Sequence, residues 1–157
     1  MAYVLQPLVR IRTMREDRAQ GELVAARREL AAAEAAVAAR RRDLADWEAT
    51  KDARRDRIYA TIMGRPVSRD QLDLANEGVA RIDEEGALKA DNVVRAEAER
   101  RTRAEAAEAA RINLNHMTKN RMKIDEHKAV WVVEDARAQE FRAEGELEDF
   151  NVRKEEV

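Results

Sequence analysis

His116 and His127 are the only imidazoles in a chain of 157 residues that has no cysteine. Their spacing of eleven residues is about three helical turns, which puts them on similar faces of one helix but ~16 Å apart along its axis. That distance is too great for one metal ion to bridge. The spacing therefore predicts polar seam residues, with His127 beside Ile124 and Trp131, and no metal centre. The lack of cysteine removes a thiolate nucleophile, a disulfide framework and a cysteine zinc site. Carboxylates are plentiful, with 32 Asp and Glu, but paired acids do general acid–base work only in a pocket that shifts their pKa values. On long helices they read instead as solvated faces laced by i,i+4 ion pairs. Gly64-Arg65-Pro66 is an isolated turn and no phosphate-cradling glycine loop exists. No Ser/His/Asp constellation can be argued, so the expectation is a chain without catalysis, metal or cofactor.

Arginine offers a different chemistry. Arg40-Arg41-Arg42 and Arg54-Arg55-Asp56-Arg57 are the densest basic clusters and could touch phosphates. Asp43, Asp46, Glu48, Asp52 and Asp56 cancel most of that field, and Trp47 and Tyr59 are the only aromatics nearby. The whole chain has a formal net charge of −2, whereas nucleic-acid binders are usually clearly basic. An Arg-rich helical nucleic-acid binder is kept only as an alternative. The apolar residues of the last third stand out more. Trp131, Val132 and Val133 are consecutive and must point in different directions around a helix, whereas pairing with one other helix covers a single stripe. At least one of them must be exposed or covered by a partner, as aromatic anchors among charges often are.

The elements that carry these residues follow from composition. Charged residues are 39% of the chain, aromatics 4%, and there are 30 Ala, five Gly and two Pro. That mix favours long helices. No stretch approaches ~18 uninterrupted apolar residues, so no membrane span is expected, and the first residues lack the basic-then-apolar pattern of a signal peptide. Leu23, Leu30, Val37, Leu44 and Ile58 keep a seven-residue register, with Ala26, Ala33 and Trp47 three positions further on. These make a heptad seam, interrupted at Arg40, Lys51 and Arg54. Pro7 suits a first helical turn. The pattern predicts one helix over 8–62. Gly64-Arg65-Pro66-Val67-Ser68 ends it, and Ser68-Arg69-Asp70-Gln71 fits a capping box for the next helix. A helix over 69–86, kinked near Gly86, and a last helix over 92–156 are expected. In the last helix Met117, Ile124, Trp131 and Ala138 are spaced by seven.

These elements predict a single all-α domain over 1–157, an antiparallel two-helix coiled-coil hairpin with a short helical segment at its tip (64–91). Two registers compete. Bending at Gly64–Pro66 alone sets residue i against about 130 − i and leaves Trp131, Phe141 and Phe150 uncovered. A capped tip over 64–91 sets i against about 154 − i, bringing Leu8 to Leu147 and Ile11 near Ala143. The second buries more apolar surface and is favoured on that ground. It also sets Arg10, Arg12, Arg15 and Arg18 against Glu140, Glu144, Glu146 and Glu148. Residues 1–62 hold 13 basic and 10 acidic side chains, and residues 134–157 hold 4 and 9, so the two ends have opposite sign.

The chain resembles the YscO (SctO) proteins of bacterial type III secretion and, more distantly, the flagellar FliJ protein. The resemblance rests on size, on the helix–turn–helix layout, on Pro7-Leu8-Val9-Arg10-Ile11-Arg12 with Arg15, on Asn120-Arg121-Met122-Lys123-Ile124-Asp125-Glu126-His127-Lys128-Ala129-Val130-Trp131, and on the acidic close Glu146-Leu147-Glu148-Asp149-Phe150. It implies a cytoplasmic stalk or adaptor at the base of the secretion apparatus, similar to the coiled coil of a rotary ATPase gamma subunit. The partners it implies are the hexameric secretion ATPase, the export gate protein and translocator chaperones. By layout, the paired ends (Arg10, Arg12, Arg15, Arg18, Trp131, Phe141, Phe150) would enter the ATPase ring and the tip near Arg65 to Leu74 would face the gate. The surface around Arg54, Arg55 and Arg57 would then be a candidate chaperone or gate contact. The resemblance is also compatible with the chain itself being exported. A generic coiled-coil scaffold or peripheral stalk unrelated to secretion is the main alternative.

Overall fold

The capping signals act where they stand in the sequence. In the computed structural model, α1 runs Gln6–Ala60 and α2 runs Arg69–Glu155, and the two form an all-helical hairpin with no strand among the described residues. The structure describes the backbone of residues 3–155 and the side chains of residues 3–146. Pro7 lies in the first turn of α1, where a missing N–H costs nothing. Past Ala60 the chain tightens into i→i+3 bonds, Thr61 N–H donating to Ile58 at 3.1 Å and Ile62 N–H to Tyr59 at 3.0 Å. Gly64 then turns left-handed at φ 74°, the conformation that a Cβ would penalise. At the start of α2 the predicted capping box is formed. Gln71 N–H donates to Ser68 Oγ at 3.2 Å, and Ser68 N–H donates to Gln71 Oε1 at 2.9 Å.

The separate tip segment expected over 64–91 does not form. Residues 69–86 are the first turns of α2, which passes through Gly86 unbroken. The expected helices 69–86 and 92–156 are therefore one. Gly86 is buried and faces a tryptophan: a Cβ added there would overlap the Cζ2–Cη2 edge of the Trp47 indole. The residue read as a kink is a socket. Gly78 plays a milder version of the same part, since its added Cβ would meet Ile58 Cδ1 at 3.1 Å.

Backbone contacts divide the chain into two compact units, Val24–Glu108 and the pair Met1–Leu23 with Ala109–Val157. In the first, the heptad seam faces inward. Ala33, Val37, Ala75, Ile82 and Ala107 are buried, and Leu30, Leu44, Trp47 and Ile58 are half-buried. Ala-rich positions let the two backbones approach closely. Ion pairs border the seam, Arg103 to Glu29 at 2.5 Å, Arg41 to Glu97 at 2.6 Å, Arg54 to Glu85 at 2.7 Å, and Arg55 to Asp83. In the second unit Tyr3, Ala19, Leu23 and Ile124 are buried. Arg12 Nη1 donates to the Asn120 carbonyl at 2.5 Å, while Glu16 accepts from the Thr118 hydroxyl at 2.8 Å and from Arg121.

These pairs correct the register. Tyr3 meets Trp131, Trp47 meets Gly86 and Ile58 meets Gly78, so residue i lies opposite about 134 − i. That is close to the short-hinge arrangement and far from 154 − i. Ile11 does not lie near Ala143, and the side chain of Leu147, expected against Leu8, lies outside the described residues. The basic start of α1 is set against residues near 120, not against Glu140, Glu144 and Glu146. Maximal apolar burial does not set the pairing. A tight turn closed by Gly64 and size-matched contacts such as Trp47 on Gly86 outweigh a few exposed side chains at the end of α2.

Candidate protein-interaction site

The short register leaves a specific residue set uncovered, and it lies within the unit that holds both chain ends. Tyr3 precedes α1 and folds back through a turn in which Gln6 N–H donates to the Tyr3 carbonyl at 3.0 Å. Its ring packs on Trp131 at 5.2 Å between centroids and on His127 at 5.9 Å, and its hydroxyl shares a 2.7 Å hydrogen bond with His127 Nδ1. Among the described residues, this small aromatic cluster is the paired layer nearest the chain ends. His127 is thus a polar partner at the seam's border, as the spacing with Ile124 and Trp131 predicts, and among the described residues no three His, Asp or Glu gather to hold a metal ion.

Beyond Trp131, α2 continues to Glu155. Val130, Val132 and Val133 are about half exposed, and Phe141 is 78% exposed. The consecutive apolar triplet splits as helical geometry requires. Trp131 turns inward and is half-buried, while its neighbours turn outward. Phe150 lies outside the residues whose side chains are described.

On α1, Arg10, Arg15 and Arg18 are exposed and Arg12 is half-buried. Arg18 pairs with Glu22 at 3.0 Å along the same helix. Arg12 and Arg15 join Leu8, His116, Met117 and Asn120 around a shallow groove of about 250 Å³. The mid-helix arginines have different fates. Arg54 and Arg55 are half-buried and held by Glu85 and Asp83, while Arg57 is exposed. The Arg54 hydrogen bond holds the Glu85 carboxyl below its usual range, and the Asp83 hydrogen bond raises the Arg55 guanidinium. Arg41 lowers the Glu97 carboxyl in the same way. At the hairpin turn, Ile58, Ile62, Leu74, Ala75 and Gly78 line an open, mainly apolar dimple of about 260 Å³, with Met63 and Leu72 exposed beside it.

Sequence reasoning missed Tyr3 and the two glycine sockets. Tyr3 stands before the first heptad residue, so no periodicity marks it. Its only signal is that its number and that of Trp131 satisfy the same register as the other pairs.

The sequence that folds into these two capped helices matches, over residues 5–153, the family described as type III secretion protein YscO. The chain belongs to the YscO family. It is therefore a type III secretion component, and the resemblance read from its segments is correct. Searches of curated proteins and of solved structures returned no match. For this YscO family member, no helix among the described residues is long and apolar enough to cross a membrane.

Proposed function

We propose that this chain is a non-enzymatic coiled-coil adaptor or stalk of the export apparatus, acting in the cytoplasm at its base. It binds the hexameric secretion ATPase, the export gate protein and translocator chaperones. Family membership supports the setting. The observation that carries the stalk reading is Phe141, largely exposed on the length of α2 that continues past the Tyr3–Trp131 layer. A chain with no partner would gain nothing from displaying an aromatic there.

In this reading Arg10, Arg15, Arg18, Phe141 and Phe150 contact the ATPase. Trp131 and Arg12 act indirectly, Trp131 by holding Tyr3 and Arg12 by holding the Asn120 carbonyl. The turn from Arg65 to Leu74, with its apolar dimple, is the gate-facing end. Arg57 is the free member of the middle cluster and the one best suited to a chaperone or gate contact. Capture of the cognate ATPase by the purified chain is the test. Wild type retains the ATPase, and Phe141→Ala with Arg15→Glu cuts retention at least tenfold while Arg57→Glu leaves it unchanged. No retention by wild type, or equal loss with Arg57→Glu, overturns the reading.

A further inference from the structure

The unit holding both chain ends carries two uncovered faces that complement each other. On α1, Pro7, Ile11, Met14 and Arg18 fall at helical spacing on one face. Ile11 and Met14 are exposed, Met14 at 69%, with Arg10 and Arg15 beside them. On α2, Val130, Val133, Arg137, Phe141 and Glu144 share a face turned away from the Ile124–Trp131 seam, with Glu134 and Glu140 alongside. Residues 4–18 hold four Arg against Glu16 and Asp17, net +2, whereas residues 134–146 hold five acids against Arg137 and Arg142, net −3. Each face mixes apolar and charged side chains, and the signs are opposite. The register denies them to one another within one chain, because early α1 is engaged with residues near Asn120 and Arg121.

We propose that a second copy of this chain covers them. The acidic–apolar end of α2 in each copy lies along the basic–apolar start of α1 in the other, in a two-fold symmetric pair. Lengths agree: from Trp131 to Glu155 is 24 residues, ~36 Å of helix, enough to run the ~20 Å from Gln6 to Arg18. A two-fold pair makes this contact twice, so neither acidic end is left beside another acidic end. The charged fraction makes the association salt-sensitive. The same faces are the ones assigned above to the ATPase, so pairing occupies that end until a partner displaces it. The dimer stands or falls without that assignment, because its test contains no ATPase.

Sedimentation of the full chain over rising concentration decides it. The 17.9 kDa chain is expected to shift toward about twice that mass, less so at high salt. Glu140→Arg with Glu144→Arg gives like charge on both faces, as does Arg15→Glu with Arg18→Glu, so each double variant stays monomeric. Mixing the two restores the pair, because each face then meets its opposite. Circular dichroism verifies that both variants keep their helices. A wild type that stays monomeric at every concentration means a different protein covers these faces, and overturns the proposal. So does a dimer indifferent to the reversals, or a mixture that fails to associate.

Discussion

The indole of Trp47 occupies the space that a side chain at residue 86 would need. Its Nε1–H donates to the Ile82 carbonyl at 3.2 Å, and Lys51 Nζ stands 5.2 Å from the ring centroid. One large residue thus fits one absent side chain on the facing helix, which a slipped register would break. Gly86→Ala is expected to destabilise the hairpin by about 1–3 kcal/mol through overpacking, although alanine is the better helix former. Trp47→Leu combined with Gly86→Ala should lose less than the two single changes together. Denaturant unfolding measures all three, and additive losses would refute the fit.

Alanine should have opposite signs at two other glycines. Gly64 is left-handed at φ 74°, so Gly64→Ala costs about 1–2 kcal/mol. Gly21 is inside α1 with open space around it, so Gly21→Ala contributes about 0.5–1 kcal/mol of stability. Thermal melts of the two variants should move in opposite directions, and parallel shifts would contradict the placement of the turn.

Acid should weaken the unit spanning Val24–Glu108. Glu85 and Glu97 are held below their usual range by Arg54 and Arg41. A carboxyl depressed in the folded state contributes stability above its unfolded value, and loses it as pH falls through the folded value. The loss therefore begins near the ordinary carboxylate range of about 4.3 and continues below it. Melting temperature followed from neutral to acid pH should fall in that window. Glu85→Gln with Glu97→Gln should flatten the fall, while a profile unchanged by the pair would assign the acid sensitivity to other groups.

Tyr3 should control how far the helix pair stays closed at its terminal end. Tyr3→Phe keeps the ring on Trp131 and loses only the His127 hydrogen bond, at a cost of about 1 kcal/mol. Tyr3→Ala removes a buried ring and should open the last layer locally. Amide exchange around Ile124 to Trp131 is expected to quicken strongly in Tyr3→Ala and little in Tyr3→Phe. Equal exchange in both would mean the ring does not hold the layer.

Much of the fold is legible along the chain because it depends on near neighbours. The heptad at Leu23, Leu30, Val37, Leu44 and Ile58 is a periodicity along one helix, and the cap of Ser68 on Gln71 and the break at Gly64 involve contacts within a few residues, so each is written in the local sequence. The family is legible too, since its segments are contiguous. Only the tertiary structure decided the register. Sliding a helix along an Ala-rich seam costs little in any one contact, so the pattern alone permits several pairings. The choice rests on residues far apart in the chain, Trp47 on Gly86, Ile58 on Gly78 and Tyr3 on Trp131. Read singly, Gly78 and Gly86 look like weak points in a helix, and their role as sockets exists only once the facing side chain is known. That register also moves Phe141 out of the paired length and separates the basic start from the acidic end, and so sets which residues are left to bind something else.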